Sequence, residues 1–484
     1  MSAEPSRVKA TLQALFLTIF PLNPALSKLV FINCTLPLSQ LKCFRLSGQN
    51  QHMPDIMVST NLELPLDLFR DPKPARKASL PDELSAFDDF GKATRSLQVS
   101  FPGLNGHAAS VPLFVNEFWT AKQRQASSLH EVSYRACFKP QLPRFFIERL
   151  TEPGDIVYDP FMGRGTTVLE AALLGRVPCG NDVNPLSVVM TRPRLAPPVL
   201  TSVEHRLKQV PLDQPADMPD DLLAFFHPET LRGISSLKKY LLQRNDTNQF
   251  DPLDEWLALV ALNRLTGHSN GFFSVYTLPP NQAVSAKSQR KINEKRNQTP
   301  PPRDIVRIIL KKSRQLLGDV TAETREVLNH VYPNHRLLTG PAHATPQIPS
   351  NSVSLVVTSP PFLNIVQYAT DNWMRCWFLG IDPSQVRLTV PRKLEDWAAA
   401  MTDVFKELHR VLKPGGHIAF EVGEVHAGKT KLEDTVLPCG VSAGLKPLLV
   451  VVNDQKFTKT ANCWGIDNMA KGTNTNRIVV FQKP

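Results

Sequence analysis

No Cys-x-x-Cys pair occurs anywhere in the 484 residues, and the seven cysteines (34, 43, 137, 179, 376, 439 and 463) are scattered and odd in number. That pattern offers neither zinc-site spacing nor a disulfide framework, so no metal is expected and a reducing cytoplasm is the matching compartment. Also missing is any apolar run of roughly 18 residues, the length a membrane-spanning helix needs, and no membrane partner is expected. Acidic residues are in the minority, 44 against 55 basic ones, for a formal net charge of +11 and a pI near 9.3. A basic excess favours a polyanionic partner such as nucleic acid. With 42% hydrophobic and 20% charged residues, the composition is that of a soluble globular protein. Its length admits about two to three domains.

The first residues fit this picture least. Leu15 to Phe20 has the look of a signal-peptide core, but Pro21 and Pro24 break it and no small-residue cleavage site follows. Residues 1–56 are therefore read as a leader, disordered or spuriously included, with Met53 or Met57 as the start. Residues 57–130 show little periodicity and are read as a cap on the domain that follows.

From Phe138 the pattern sharpens. Phe145–Leu150 predicts a short helix, and Asp155–Asp159 a buried strand. The loop Pro160-Phe161-Met162-Gly163-Arg164-Gly165-Thr166-Thr167 comes next, then a helical run from Val168 that Gly175 caps. Val177 opens a second strand, which ends at Asn181-Asp182. Strand, glycine loop, helix, strand and acid make a right-handed βαβ unit built to hold an adenosine group. Gly163 and Gly165 let the backbone turn tightly and approach a ligand, and the helix amino terminus offers free N–H groups. Asp182 stands where an acid binds ribose hydroxyls.

A second landmark lies in the last third. The β-branched run Val353–Val357 reads as a buried strand, and Pro360 and Pro361 must end it. The strand therefore opens at its carboxyl end into Thr358-Ser359-Pro360-Pro361-Phe362, at the edge where open α/β sheets bind ligands. Beyond it, Leu394–Leu412 has helical periodicity, and Leu448–Val452 and Arg477–Phe481 read as two closing strands.

Asp159-Pro160-Phe161-Met162-Gly163-Arg164-Gly165-Thr166-Thr167 resembles the DPFxGxGTT signature of S-adenosylmethionine-dependent DNA amino-methyltransferases. Ser359-Pro360-Pro361-Phe362 resembles their catalytic tetrapeptide. The likeness extends over about 138–200 and 336–484. It implies a Rossmann-like class I methyltransferase fold, an α/β architecture on a mostly parallel seven-stranded sheet. It implies that S-adenosylmethionine is held by Lys139, Pro140, Asp159, Pro160, Phe161, Gly163, Gly165, Thr166, Thr167 and Asp182. Ser359, Pro360, Pro361 and Phe362 become the catalytic group. One departure stands out, since Gly340-Pro341-Ala342 lacks the acid that many relatives carry there.

Residues 201–335 separate the two halves, 57–200 and 336–484. Lys287 to Arg314 holds ten Lys and Arg (287, 290, 291, 295, 296, 303, 307, 311, 312, 314) against Glu294 and Asp304 alone. Such a run inserted between methyltransferase halves is expected to track phosphates. Lys287, Arg290, Lys291, Lys295, Arg296 and Arg303 are the predicted nucleic-acid contacts of an inserted target-recognition region.

Methyl transfer to an exocyclic amine asks for alignment and for hydrogen-bond acceptors that make a conjugated nitrogen more nucleophilic. By the resemblance, the Ser359 hydroxyl and the Pro360 carbonyl are those acceptors. A duplex base must be flipped out to be reached, and Phe362 would stack on it. Serine in the first position leans toward cytosine N4. Adenine N6, an RNA base and a catalytically silent nucleic-acid-binding fold are the alternatives. Double-stranded DNA is the expected partner, with a cognate restriction endonuclease possible and a cytoplasmic, nucleoid-associated location. A 5-methylcytosine enzyme would need a nucleophilic Pro-Cys, and Pro438-Cys439 falls too late in the chain, so Cys439 is read as packing. Glu421 is weighed as a group near the site, with an ordinary strand-end carboxylate the favoured reading.

Overall fold

A computed structural model describes residues 79–103, 107–120, 126–134, 137–277, 283–361, 368–382, 391, 393–422, 424–425, 430–454 and 475–484. The expected leader, residues 1–56, and Phe362 lie outside the described residues. Helix α1 (Leu80–Ser85), capped by Ser79, precedes an antiparallel hairpin of β1 (Arg95–Pro102) and β2 (Ala108–Asn116). The βαβ unit follows after α2 (Gln141–Leu150), as β3 (Ile156–Asp159), α3 (Thr166–Leu173) and β4 (Val177–Asp182). Next come α4 (Leu186–Leu195), α5 (Leu200–Gln209), α6 (Pro228–Asp246), α7 (Pro252–Leu262), α8 (Ala286–Lys295), α9 (Ile305–Leu316) and α10 (Ala322–Val331). The chain then returns to the sheet through β5 (Arg336–Thr339) and β6 (Val353–Thr358). After α11 (Tyr368–Leu379) and α12 (Leu394–Val411) it closes with β7 (Leu412–Val422) and the short ladder β8 (Glu424–Val425) and β9 (Thr430–Lys431). Helix α13 (Glu433–Ser442), β10 (Lys446–Asp454) and β11 (Thr475–Gln482) complete the order.

Nine strands join in the order β1-β2-β10-β11-β7-β6-β3-β4-β5. The pairs β5–β4, β4–β3, β3–β6 and β6–β7 are parallel, while β11 runs antiparallel to both β7 and β10. Those seven strands are the mostly parallel sheet the sequence predicts. The hairpin β1–β2 extends it, with β2 parallel to β10. Residues 95–102 and 108–116 are thus strands, where a cap was expected. Leu97, Val99 and Phe101 alternate along β1, and Val111, Leu113 and Val115 along β2, but the exposure of most of β1 dilutes that signal.

Both sheet faces are covered, which is why β6 is buried at every position. On one face, Phe145, Phe146 and Ile147 of α2 pack against Val157, Leu355 and Val357. On the other, Trp397, Phe405 and Leu408 of α12 meet Val356, Ile418 and Phe420. A third cluster joins α3 and α4 to α5, α6, α7, α9, α10 and α11, with Trp256 at its centre donating from Nε1 to Ser313 Oγ at 3.0 Å. Asp251 caps α7 in a full capping box, and its carboxylate also receives Arg206.

Candidate functional site

The site grows from the carboxyl ends of three neighbouring parallel strands, β6, β3 and β4. At the end of β3, the backbone takes positive φ at Gly163 (51°) and at Gly165 (75°). Both are conformations that favour glycine. A Cβ on Gly165 would stand 2.3 Å from Thr191 Oγ1 of α4, so no larger residue fits. The loop so formed is pinned from β4. Met162 N donates to the Asn181 carbonyl at 3.0 Å, and Gly163 N to Asp182 Oδ2 at 2.8 Å. Asn184 N donates to Asp182 Oδ1 at 2.9 Å. Burial holds the Asp182 carboxyl above its ordinary range, and these two N–H donors oppose that effect. Each of its oxygens keeps a lone pair for a ligand hydroxyl.

Strand β6 is stitched to the same loop. Thr358 donates its hydroxyl to Asp159 Oδ1 at 2.6 Å, and Thr167 donates to the Val357 carbonyl at 3.0 Å. Phe161 N donates to Asp159 Oδ1 at 3.1 Å. Asp159 is almost wholly buried, and desolvation pushes its carboxyl up to about 7 against those bonds. The glycine loop and the Ser-Pro-Pro turn are therefore adjacent, joined side chain to side chain.

Glu421 meets Ser359 by register. Thr358 pairs with Phe420 across β6–β7, which puts Ser359 beside Glu421. The Ser359 side chain interacts with the Glu421 carboxylate, and Asn476 Nδ2 of β11 donates to Glu421 Oε1 at 2.8 Å. Burial raises the Glu421 carboxyl while these two contacts pull it back. The expected bystander carboxylate is thus the partner of the serine. Its position one residue before the strand end was visible in sequence, but the pairing register that makes the contact was not. Trp397 Nε1 occupies the Pro361 carbonyl at 3.0 Å and fixes the turn from α12. Cys439 is buried in α13, with Sγ 3.1 Å from the Thr435 carbonyl, as a packing residue would be.

Residues outside the predicted set complete the cradle. Arg164 is buried and donates to the Val132 carbonyl at 2.9 Å and to Thr166 Oγ1 at 3.2 Å. Arg194, fully buried, donates to the carbonyls of Arg164 and Leu129, and desolvation lowers its guanidinium to about 9. Lys139 is half-buried beside them, and burial together with Arg164 lowers its ammonium. Pro140 heads α2, and Pro160 and Phe161 lead from β3 into the loop. Among the described residues, no His, Cys, Asp and Glu side chains group as a metal-ligand set.

The basic stretch separates into different roles. Lys287, Arg290, Lys291 and Lys295 are exposed on α8, with Arg296 at its C-cap over the Tyr276 ring at 3.9 Å. Arg290 also pairs with Asp221 at 2.7 Å. Arg303 is half-buried and donates its backbone N–H to Thr230 Oγ1 at 2.8 Å. Lys312 turns inward; burial lowers its ammonium to about 8, and it is no surface contact. Just ahead of α8, the Ala283 carbonyl accepts from Trp373 Nε1 of α11 at 2.8 Å.

Residues 110–188 match the N6/N4 methyltransferase family model, described as DNA methylase. The type II methyltransferase M.BsoBI of Geobacillus stearothermophilus is 24% identical over 300 residues, 54% of this chain and 54% of that protein. The chain thus spans about half the length of that relative. M.BglII of Bacillus subtilis, another type II methyltransferase, is 38% identical over 76 residues, 16% of each chain. Among solved structures, a TehB-like S-adenosylmethionine-dependent methyltransferase of Corynebacterium glutamicum aligns with 71% of this chain and 87% of its own. That alignment has 9% identity and a TM-score of 0.27.

Proposed function

We propose that this chain, which is similar over part of its length to N4/N6 amino-methyltransferases, methylates an exocyclic amine in DNA, with cytosine N4 the preferred target. The observation that carries the reading is that Ser359 stands beside Glu421 by strand register while the preceding Thr358 is bonded to Asp159 at the foot of the glycine loop. It sets a polarised acceptor beside a cofactor cradle. S-adenosylmethionine, when bound, supplies an electrophilic methyl group on a sulfonium. Gly163, Gly165 and the amino terminus of α3 receive its polar end, and Asp182 its ribose.

Ser359 directs its hydrogen to Glu421 and so keeps its lone pairs for one hydrogen of the target amine. The Pro360 carbonyl takes the other. Both contacts strengthen as positive charge develops on the nitrogen, which favours the transition state over the ground state. The excess proton then has a route, from nitrogen to Ser359 Oγ while the serine's own hydrogen passes to Glu421. Residues 201–335 are assigned to target recognition, with the exposed cations of α8 on the phosphates. Pairing with a restriction endonuclease of the same specificity belongs to the same proposal.

Mass spectrometry of nucleosides after incubation of unmethylated DNA with the protein and labelled S-adenosylmethionine tests this. Labelled N4-methylcytosine is the expected product. Labelled N6-methyladenine would keep the site and overturn the base preference; label confined to RNA would overturn the substrate. In the same assay, Asp182→Ala is expected to weaken cofactor binding about tenfold to a hundredfold, the cost of losing hydrogen bonds to a charged group. Unchanged affinity in a calorimetric titration would remove Asp182 from the cofactor site.

A further inference from the structure

Residues 129–134 form a strap beside the glycine loop, and buried cations hold it by its backbone. Arg194 and Arg164 take the carbonyls of Leu129 and Val132. Ser133 N donates to Asn263 Oδ1 at 2.9 Å. The strap ends on Tyr134, whose ring lies 3.7 Å from where a Cβ on Gly163 would stand. The Tyr134 hydroxyl accepts from Asn184 Nδ2 at 3.2 Å, two residues past Asp182. Tyr134 thus lies beside the glycine loop and is bonded to the segment that follows Asp182.

One further contact reaches the strap from the opposite half of the chain. Arg375 lies on α11, the first described element after Pro361, and is buried. It donates from one nitrogen to the Ser133 carbonyl at 3.1 Å and from the other to Asn372 Oδ1 of its own helix at 2.8 Å. Its guanidinium carbon also stands 5.7 Å from the Tyr134 ring centroid, within cation–π range. A planar fork bonded at both ends is rigid, which a flexible ammonium is not. Asn372 sets its direction, and Ser133 receives it.

We propose that Arg375 is a positioning residue that couples cofactor binding to the helix following the catalytic turn. Order imposed on Tyr134 by a bound cofactor passes through Ser133 and Arg375 to α11. The inference rests on the methyltransferase reading above and goes beyond it. Linkage makes the coupling reciprocal, so a ligand that orders α11 tightens the cofactor site by the same factor.

Hydrogen exchange read by mass spectrometry tests this on the full chain, with and without S-adenosylhomocysteine. In the wild type, the ligand is expected to slow exchange about tenfold in peptides covering both 159–175 and 368–379. In R375M, protection should persist at 159–175 and vanish at 368–379, with turnover down about tenfold at unchanged cofactor KM. R375K keeps the charge without the fork and should behave in the same way; it decides the matter if R375M does not fold. Protection of 368–379 that survives in the variants overturns the proposal, as does a wild-type helix indifferent to the ligand. Failure of the wild type to bind S-adenosylhomocysteine at all would instead sink the methyltransferase reading, and the coupling with it.

Discussion

Ser359→Ala is expected to lower turnover by about 10²–10³ while leaving cofactor affinity within about twofold, the loss typical when one preorganised transition-state hydrogen bond is removed. The split follows from geometry. Ser359 interacts with Glu421, whereas the glycine loop's own fastenings run through Asp182, Asn181 and Thr167. Nothing that shapes the cradle is lost with the hydroxyl. Glu421→Gln should show the same signature in milder form, because an amide still accepts from Ser359 but takes up no proton. A second readout separates the two variants. Burial raises the Glu421 carboxyl, so its ionised, accepting form is lost as pH falls through that raised value. Wild-type turnover should therefore decline on the acid side, and Glu421→Gln should lack that decline. Single-turnover rates measured across pH on saturating DNA check both statements. An alanine variant with the wild-type rate would remove Ser359 from the chemistry.

Much of this site could be read in the sequence because its devices are local. A glycine loop between a strand and a helix, an acid at the next strand end and a proline pair that halts a strand are each short, contiguous signals. The parts that were missed are the non-local ones. Glu421 meets Ser359 only because β6 and β7 pair in parallel, across a long stretch of intervening chain. Arg194 reaches the Arg164 carbonyl from the next helix, and Arg375 reaches Ser133 across the whole insert. No period or propensity encodes such contacts. The hairpin β1–β2 was overlooked for another reason: an edge strand exposed along most of its length lacks the apolar signal that marks a buried one. The basic run shows the opposite error. Composition groups ten cations together, while the helical period sends Lys312 inward and leaves Lys311 on the surface.

Cofactor affinity should rise with pH up to about 7, and Asp159→Asn should flatten that dependence. Desolvation lifts the Asp159 carboxyl to about 7, so it is protonated in most molecules at pH 6 and ionised in most at pH 8. A cationic ligand at the end of β3 favours the ionised form, and binding therefore releases a proton. Below the raised value a change of one in pH is worth up to about tenfold in affinity; above it the curve levels. The same group acts on stability with the opposite sign. Because its folded value exceeds the unfolded one near 3.9, the folded state binds the extra proton, and stability is lost as pH rises from about 4 to 7. Across that window the loss is at most about 1.4 kcal/mol for each step of one in pH. Asp159→Asn removes that loss, keeps an oxygen for Thr358 and Phe161 N, and should raise Tm at pH 8 more than at pH 5. The two trends make the test sharp. A variant that gains stability at alkaline pH while its cofactor affinity ceases to respond to pH identifies Asp159 as a carboxylate held neutral by its surroundings and charged by its ligand. If affinity keeps its pH slope in the asparagine variant, the slope belongs to another group, and Asp159 serves only to fasten Thr358 and the loop.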